Sequence, residues 1–450
     1  MKARRSLFLL AGLLFILLET TWAQVSPLVE IGSSPNSVGA GARAMGMGDA
    51  FVAVADDASA ASWNPAGLTA LEKPEVSIVL SAFRRKDDIS SGSHPEADSS
   101  SSESSFDLNY LSMAFPLAKG GFNLSFSLNY QRLLDFTKEV AFPFNQSSGS
   151  FSGTLNYRLA QEGEFTAWIP ALAVDVNDNL SLGLSFLLLN NSFTAASAYS
   201  RRVSTSGVIS FDMADLVPGA ASQVVAVDDN LTINDEYEVK KGLGLVLGLM
   251  WRLDHRWKIG AVLKPRYDIE MKKLSSQRIL QTVQGSATPL NDLSTATQSD
   301  SVLTMPTVVA VGTSLRQGDA LTLSADITWT DWGGYRISEA GSEVNPVSGL
   351  ADSNNSNIAL RLGLEYLFFR DGYIVPLRGG IGYDPEPAAA NQDDFLTLSI
   401  GTGIIQKEFS VDFATRLRLG FNTGKTAYQG IGAVSDTWQL QSVLGLVYWF

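Results

Sequence analysis

The feature that most constrains this chain is a two-residue alternation of apolar and polar side chains, which begins at Glu75 and recurs to the C-terminus. In "FNLSFSLNYQ", Phe122 to Gln131, every second residue is apolar or aromatic and the others are Asn, Ser or Gln. The same period returns at residues 180–188, 321–329, 358–368 and 409–419. Strand side chains alternate between the two faces of a sheet, so each strand has one apolar face. Strands of about ten residues with this pattern are typical of transmembrane β-barrels.

The connections between these strands alternate in length. Lipid offers no hydrogen-bond partner to an open edge, so a membrane sheet must close, whereas a soluble sandwich usually has shorter strands. Six short turns alternate with seven longer or more polar connections, near residues 85–105, 132–160, 190–238, 271–300, 332–356, 384–393 and 420–436. We therefore predict an all-β protein, a 14-stranded antiparallel transmembrane β-barrel over residues 75–450, with the long loops outside. The serine-rich loop Asp87 to Ser105 is predicted to be mobile.

The N-terminus has the pattern of a secretory signal peptide over residues 1–23. Lys2, Arg4 and Arg5 precede the apolar run Leu7 to Leu18, and small residues precede Gln24. The alternative, a membrane anchor, is disfavoured because a spanning helix needs about 20 apolar residues. We expect export to the outer membrane of a Gram-negative-type bacterium.

Composition excludes several functions. The formal net charge is −13, whereas binding to nucleic acid needs positive charge. The chain has no cysteine, so it has neither a disulfide nor thiol chemistry. The two histidines, His94 and His255, fall at opposite ends of the predicted barrel, so a Ser-His arrangement lacks a site. We predict that the protein is not an enzyme and that it uses no cofactor and no metal.

A small-residue segment precedes the barrel. Sixteen of the 33 residues from Gly39 to Leu71 are Gly or Ala. Eight strands are about the largest barrel that side chains can fill, so a 14-stranded lumen needs a plug. We predict that residues 24–74 form this hatch. Asn64 before Pro65 predicts a helix N-cap, and Ala66 to Leu71 are predicted to form a short helix. Asp56 or Asp57 is expected to cap another helix, and Arg43 to pair with one of these carboxylates.

The hatch segment resembles the long-chain fatty acid transporter family of outer-membrane proteins, which also includes aromatic hydrocarbon channels. Its pattern is G-x-A-x-A-x-A-D-D-A-x-x-x-x-x-N-P-A. The matching residues are Gly48, Ala50, Val52, Ala53, Val54, Ala55, Asp56, Asp57, Ala58, Asn64, Pro65 and Ala66. Weaker similarities lie at Met305-Pro306, Thr328 to Trp332 and Leu377 to Pro387.

This resemblance implies passive uptake of a hydrophobic small molecule, most simply a long-chain fatty acid. The ligand would be caught in an apolar groove of the outer loops, pass to a site in the lumen and leave when the hatch moves. It further implies a sideways exit at an inward kink of the third strand, although Gln131 stands where relatives can have Gly. The expected hatch and gating residues are Arg43, Asp56, Asp57, Asn64, Pro65 and Ala66.

Two sets of inward-facing side chains are candidates for ligand binding. The apolar set could line a lumen pocket or simply pack against the hatch. It comprises Leu133, Leu134, Leu187, Leu189, Val246 and Met250. Of the charged set, Arg361, Arg416 and Arg418 could hold a carboxylate, but salt bridges with lumen acids are the favoured interpretation. The basic residues that hold the head group in relatives do not map cleanly; Asn190, Asn191, Arg336 and Glu339 lie near their places.

The last strand ends on Phe450, and an aromatic C-terminus resembles the signal for the barrel assembly machinery. The lipid bilayer and lipopolysaccharide are the expected surroundings, and the protein is expected to be a monomer. Two alternatives stay open. Relatives include aromatic hydrocarbon channels, and some barrels with this hatch do not transport but act as docking or shuttle components of a secretion system.

Overall fold

The computed structural model describes residues 40–119, 122–148, 151–190, 197–216, 221–339, 341–346, 356–386, 392–424, 428 and 432–450. The expected signal peptide and the first part of the expected hatch lie outside these residues. All strands belong to one antiparallel sheet. In chain order they are β1 Glu75–Ser91, β2 Ser99–Lys119, β3 Phe122–Asp135, β4 Lys138–Ser148, β5 Phe151–Asn177, β6 Leu180–Leu189, β7 Ala198–Asp212, β8 Val224–Arg252, β9 Trp257–Lys264, β10 Tyr267–Val283, β11 Asn291–Met305, β12 Val308–Gln317, β13 Leu321–Asp331, β14 Arg336–Glu339, β15 Ser342–Val344, β16 Ser356–Arg370, β17 Tyr373–Tyr383, β18 Phe395–Ile405, β19 Phe409–Thr423 and β20 Ala433–Trp449.

Fourteen of these strands form a closed barrel wall. Their order around the barrel is β1, β2, β3, β5, β6, β8, β9, β12, β13, β16, β17, β18, β19 and β20, and β20 pairs with β1 from Glu75–Trp449 to Ser91–Ala433. The backbone N–H of Phe450 donates to Pro74 O (3.1 Å) and fixes the chain end beside the start of β1. The prediction of a closed 14-stranded antiparallel barrel is confirmed.

The other six strands build an arm above the outer rim, which we call the outer arm. It consists of β4, β7, β10, β11, β14 and β15 with the outer ends of β5 and β8. β5 changes partners at Gly163: residues 151–163 pair with β7, and residues 164–174 pair with β3. Several connections that the sequence suggested as loops are therefore sheet. Backbone pairing with neighbouring strands stabilises these polar segments, although lipid never covers them.

The prediction of a mobile loop from Asp87 to Ser105 is wrong. β1 and β2 stay paired up to Ile89 and Ser99, so only the short connection around the single 3₁₀ turn Pro95–Ala97 leaves the sheet. Serine side chains are compatible with a strand when a neighbouring strand satisfies the backbone. Low complexity alone was a poor guide to order here.

Within the described residues, helical structure is confined to short elements. They are α1 Ala42–Gly46, α2 Ala60–Trp63, α3 Met213–Leu216 and the 3₁₀ turns Pro65–Ala70, Pro95–Ala97 and Trp332–Gly334. No helix in the described ranges is long and apolar enough to cross a membrane. The two faces of the wall differ as the alternation requires: on β16 Leu360, Leu362 and Leu364 are exposed outward, while Arg361 and Glu365 are buried inside.

Candidate functional site

The described N-terminal segment, residues 40–74, lies inside the barrel against glycines of its wall, and we keep the name hatch for this segment. A Cβ atom at Gly380 would overlap the backbone nitrogen of Gly48, and one at Gly248 would overlap Oδ1 of Asn64. Only glycine lets a strand and a second backbone approach this closely. We call this set the wall glycines: Gly183, Gly248, Gly260, Gly363 and Gly380.

Asn64 joins two parts of the hatch to the wall. Its Oδ1 accepts from the backbone N–H of Ala66 (3.2 Å) and caps the 3₁₀ turn that starts at Pro65. Its Nδ2 donates to Val52 O and to Leu249 O of β8, both at 2.9 Å. The side chain is fully buried, so each of these bonds is made away from bulk water.

The hatch also holds the acidic residues that the family motif singles out. Asp57 Oδ1 accepts from the backbone N–H of Ser59 (2.9 Å) just before α2. Burial raises the pKa of Asp57, and the guanidinium of Arg43, 3.9 Å away, opposes this rise. Asp56 forms an ion pair with Arg43. The hatch charges therefore meet one another within the plug.

One side of the lumen is a network of ion pairs that includes the hatch. Arg43 donates to both carboxylate oxygens of Glu365 on β16, at 2.9 and 3.0 Å. Arg378 on β17 joins Glu365 (2.7 Å) to Asp412 on β19 (2.5 Å). Removing one partner of a buried ion pair typically costs about 3–5 kcal/mol. The network therefore anchors the hatch to β16–β19.

The three arginines considered as carboxylate ligands lie on this charged side. Arg361 pairs with Asp384, and Arg416 pairs with Asp49 of the hatch. Arg418 pairs with Glu386 (2.5 Å) and stands 4.0 Å from the ring centre of Phe395. Each already has an acidic partner within the protein.

The opposite side of the lumen is apolar. Its buried residues form what we call the inner apolar cluster. They are Val52, Leu134, Phe136, Phe165, Ala167, Ile169, Leu187, Leu189, Tyr199, Tyr237, Val239, Val246, Val262, Ile269, Met271, Leu303, Ala310, Tyr335 and Ile337. Leu133, Tyr267, Met305, Trp332 and Val344 pack against it. Val52 belongs to the hatch, so the cluster reaches from the outer arm down to the plug.

Five of the six expected apolar residues meet at this cluster. Leu134, Leu187, Leu189 and Val246 belong to it, and Leu133 packs against it. Met250 is buried on β8 but lies outside the cluster. The structure thus brings the apolar candidates together and places the three arginines on the other side.

An aromatic stack closes the outer end of the inner apolar cluster. The ring of Tyr199 lies 4.2 Å from that of Phe136 and 4.6 Å from that of Tyr237, with interplanar angles of 18° and 6°. Nζ of Lys273 lies 5.2 Å from the centre of the Tyr237 ring. The stack forms the outermost row of the inner apolar cluster on β7 and β8, where Tyr199 stands opposite Tyr237.

The third strand keeps its neighbours at the position considered for a sideways exit. Gln131 pairs with Tyr110 of β2 and with Ala167 of β5, and Ser62 Oγ donates to its side chain (2.6 Å). The pairing of β3 with β5 becomes irregular only between Arg132 and Leu134.

Sequence reasoning did not identify the wall glycines or Asp326. Oδ2 of Asp326, on β13, accepts from the backbone N–H of Val52 at 2.8 Å. A glycine on the inward face of a strand was the available signal, because strand glycines often mark a close backbone approach. Within the described ranges no group of His, Asp and Glu has the arrangement of a metal site.

A closed membrane barrel with an internal hatch and an apolar lumen defines an outer-membrane transport protein. Its family follows from the sequence: the chain belongs to the outer membrane protein transport proteins (OMPP1/FadL/TodX), whose family model matches residues 34–420. The resemblance noted in the hatch motif is confirmed, and so is the outer-membrane location.

Solved structures share the fold at low sequence identity. A FadL homologue from Pseudomonas aeruginosa is 14% identical, with a TM-score of 0.57 over 92% of this chain and 98% of that one. The toluene transporter TbuX of Ralstonia pickettii is 17% identical, with a TM-score of 0.53 over 92% and 99%. The toluene transporter TodX of Pseudomonas putida is 12% identical, with a TM-score of 0.54 over 92% and 98%. No curated protein matches the chain.

Proposed function

We propose that the protein takes up long-chain fatty acids passively through the apolar side of its lumen. The observation that carries this proposal is the inner apolar cluster. The interior of a water-filled barrel is polar. Here buried apolar side chains run from the outer arm to Val52 of the hatch. Such a path favours a molecule with a long hydrocarbon chain.

Lys264 is the cation that we propose for the carboxylate of the fatty acid. It follows Val262 of the inner apolar cluster by two residues on the same inward face of β9. Across the sheet it lies opposite Val308 of β12. A cation at the border of an apolar surface can bind the head group while the chain packs against the cluster.

A second candidate ligand is an aromatic hydrocarbon. The stacked rings of Phe136, Tyr199 and Tyr237 support it, because aromatic rings pack well against one another. TbuX and TodX are described as toluene transporters, and they share the fold. A neutral hydrocarbon cannot pair with the charge of Lys264. Replacing that residue therefore distinguishes the two candidate ligands.

Replacing Lys264 by Met should weaken oleate binding roughly tenfold or more, because it removes a hydrogen bond to a charged group. Binding of toluene should stay unchanged. The measurement is equilibrium binding of each labelled ligand to the purified barrel in nanodiscs. Lys240→Met is the matched control, since Lys240 forms an exposed ion pair with Asp300 on the outer arm. Toluene binding without oleate binding in the unchanged protein would support the hydrocarbon channel instead.

We also propose that Asn64 holds the hatch in its closed geometry. Losing an Asn cap costs about 1 kcal/mol, and Asn64→Ala also removes the side-chain hydrogen bonds to Val52 O and Leu249 O. The barrel should still assemble, while the hatch should become more sensitive to protease and oleate uptake should change. Exposed Ser100→Ala is the silent control. An unchanged digestion pattern together with unchanged uptake would reduce Asn64 to a packing residue.

The remaining partners are proposals from the fold. The barrel assembly machinery would bind the last strand through its aromatic end at Phe450, and lipopolysaccharide would surround the outer half of the wall. We propose that the protein works as a monomer, since the wall closes within one chain.

A further inference from the structure

A second apolar cluster lies outward of the first, where the outer arm meets the outer ends of β1 and β20. We call it the outer apolar cluster: Ile89, Ala97, Val140, Phe142, Leu159, Val203, Tyr428 and Ala433. Val140, Leu159 and Val203 stand side by side on β4, β5 and β7.

A row of polar side chains separates the outer apolar cluster from the inner one. Lys138 of β4, Gln161 of β5, Arg201 of β7 and Asp235 of β8 are direct neighbours across the sheet. All four side chains lie on the buried face of the outer arm, with exposed fractions of 2, 1, 6 and 3%. We call them the polar row.

The register fixes the place of the polar row between the two clusters. Two residues outward along the same face of β5 and β7 stand Leu159 and Val203 of the outer cluster. Two residues inward stand Gly163 and Tyr199, and Tyr199 belongs to the inner cluster. A molecule that moves along this face from one cluster to the other must cross the row.

The side chain of Gln161 makes no hydrogen bond in the described structure. Neither Nε2 nor Oε1 has a partner, although both atoms are buried. Nearly all buried polar groups of native proteins are hydrogen-bonded. An unpaired buried amide therefore either destabilises the fold or marks a place where a ligand binds. Its two neighbours in the row are cationic.

The charges beside Gln161 favour an anion. Arg201 donates to Asp235 at 2.7 Å, and Asp235 also accepts from Ser275 at 2.6 Å. Nζ of Lys138 lies 5.9 Å from the centre of the Tyr428 ring. Burial lowers the pKa of Lys138 to about 8, the charges of Glu386 and Asp393 oppose this lowering, and an incoming carboxylate would further favour the charged form of the lysine.

We propose that Gln161, between Lys138 and Arg201, binds the carboxylate of an amphipathic acid and thereby selects acids over neutral hydrocarbons. The inference rests on the proposed uptake function and adds an outer selection step to it. The amide N–H and the flanking cations supply the donors, while the hydrocarbon chain lies on one of the two clusters. A neutral hydrocarbon must pass the same buried charges and forms no hydrogen bond with them.

The test compares oleate with methyl oleate, which has the same chain and no charge. Equilibrium binding of each labelled ligand is measured with the full-length barrel in nanodiscs, for the unchanged protein, Gln161→Leu and Gln161→Glu. The control is Asn156→Leu, an amide on the exposed face of the same strand. Thermal unfolding of each variant serves as the structural readout.

Gln161→Leu should weaken oleate binding at the outer of the two sites by roughly tenfold, leave binding at the Lys264 site unchanged and leave methyl oleate binding within about twofold, because only a bond to a charged group is lost. Gln161→Glu should weaken oleate binding further, by charge repulsion. Asn156→Leu should change neither ligand. The leucine variant should unfold at the same or a higher temperature, because it removes an unpaired buried amide.

Equal effects of Gln161→Leu on both ligands, or no effect on either, would overturn this inference and leave the uptake function standing. Binding of methyl oleate but not oleate by the unchanged protein would also overturn it. Binding of neither ligand, nor of toluene, by the unchanged protein would contradict the proposed function itself.

Discussion

Replacing Gly380 by Leu should make the outer membrane leaky to small solutes while the barrel still assembles. Gly380 faces the lumen, and a Cβ there would overlap the backbone nitrogen of Gly48. Overpacking typically costs about 1–3 kcal/mol, which shifts a two-state hatch by roughly 5- to 150-fold. The measurement is the rate at which intact cells hydrolyse a chromogenic β-lactam with a periplasmic enzyme.

Gly379 provides the matched control on the same strand. Its Cβ would point outward and meet nothing within 4 Å. Gly379→Leu should therefore add one more leucine to the lipid-facing surface and leave permeability unchanged. Equal leakage from both variants would mean that glycine is needed for the strand itself, and the hatch would not be seated by the wall glycines.

Deleting residues Val25 to Leu71 should leave an assembled barrel with high, unselective permeability. The wall closes through strand pairing from β1 to β20, and none of the described residues 40–71 takes part in that ladder. A 14-stranded lumen without a plug is too wide for side chains to fill. In planar bilayers, the conductance should rise from that of a closed barrel to that of an open pore. On detergent gels, unheated and boiled samples should still migrate differently.

The deletion also separates a gate from a folding element. Removing the hatch takes Arg43 away from Glu365 and Asp49 away from Arg416, but water can solvate these groups in the wider lumen. If no heat-modifiable barrel forms, the segment is needed for assembly, and the proposed gating role of residues such as Asn64 loses its basis.

The strands of the wall could be predicted from the sequence because one constraint, lipid on the outside and the lumen on the inside, sets their pattern. Lipid outside and polar groups or glycine inside impose the alternation seen at Phe122 to Gln131, and closure then follows from the lack of partners in lipid. The outer arm and the outer ends of β1 and β2 are different. Their strands face water on one side, so segments such as Ser99 to Ser105 of β2 show no apolar face, and only their pairing partners make them strands.

The site was predictable in part. Alternation placed Leu134, Leu187 and Val246 inside, but it could not place them on one side of the lumen, because that depends on the order of strands around the barrel. The same limit applies to charges. That Arg361 and Arg416 face inward follows from period two, whereas their pairing with Asp384 and Asp49 depends on the path of a loop and of the hatch.

The polar row and the wall glycines lay beyond sequence reasoning for a related reason. Gln161 becomes notable only when Lys138 and Arg201 stand beside it, and these residues meet through the register of three strands. Gly183 and Gly248 interrupt apolar strands in the sequence, but the hatch backbone that explains them is distant in the chain.

The most direct test of the account is uptake of labelled oleate and labelled toluene by cells that lack their own outer-membrane transporters for these molecules. Cells with the heat-modifiable barrel should take up at least one of the two faster than vector controls, in a saturable way, because the lumen offers an apolar path. If both rates equal those of the controls while the barrel is assembled in the outer membrane, the central claim of transport through the apolar lumen is contradicted.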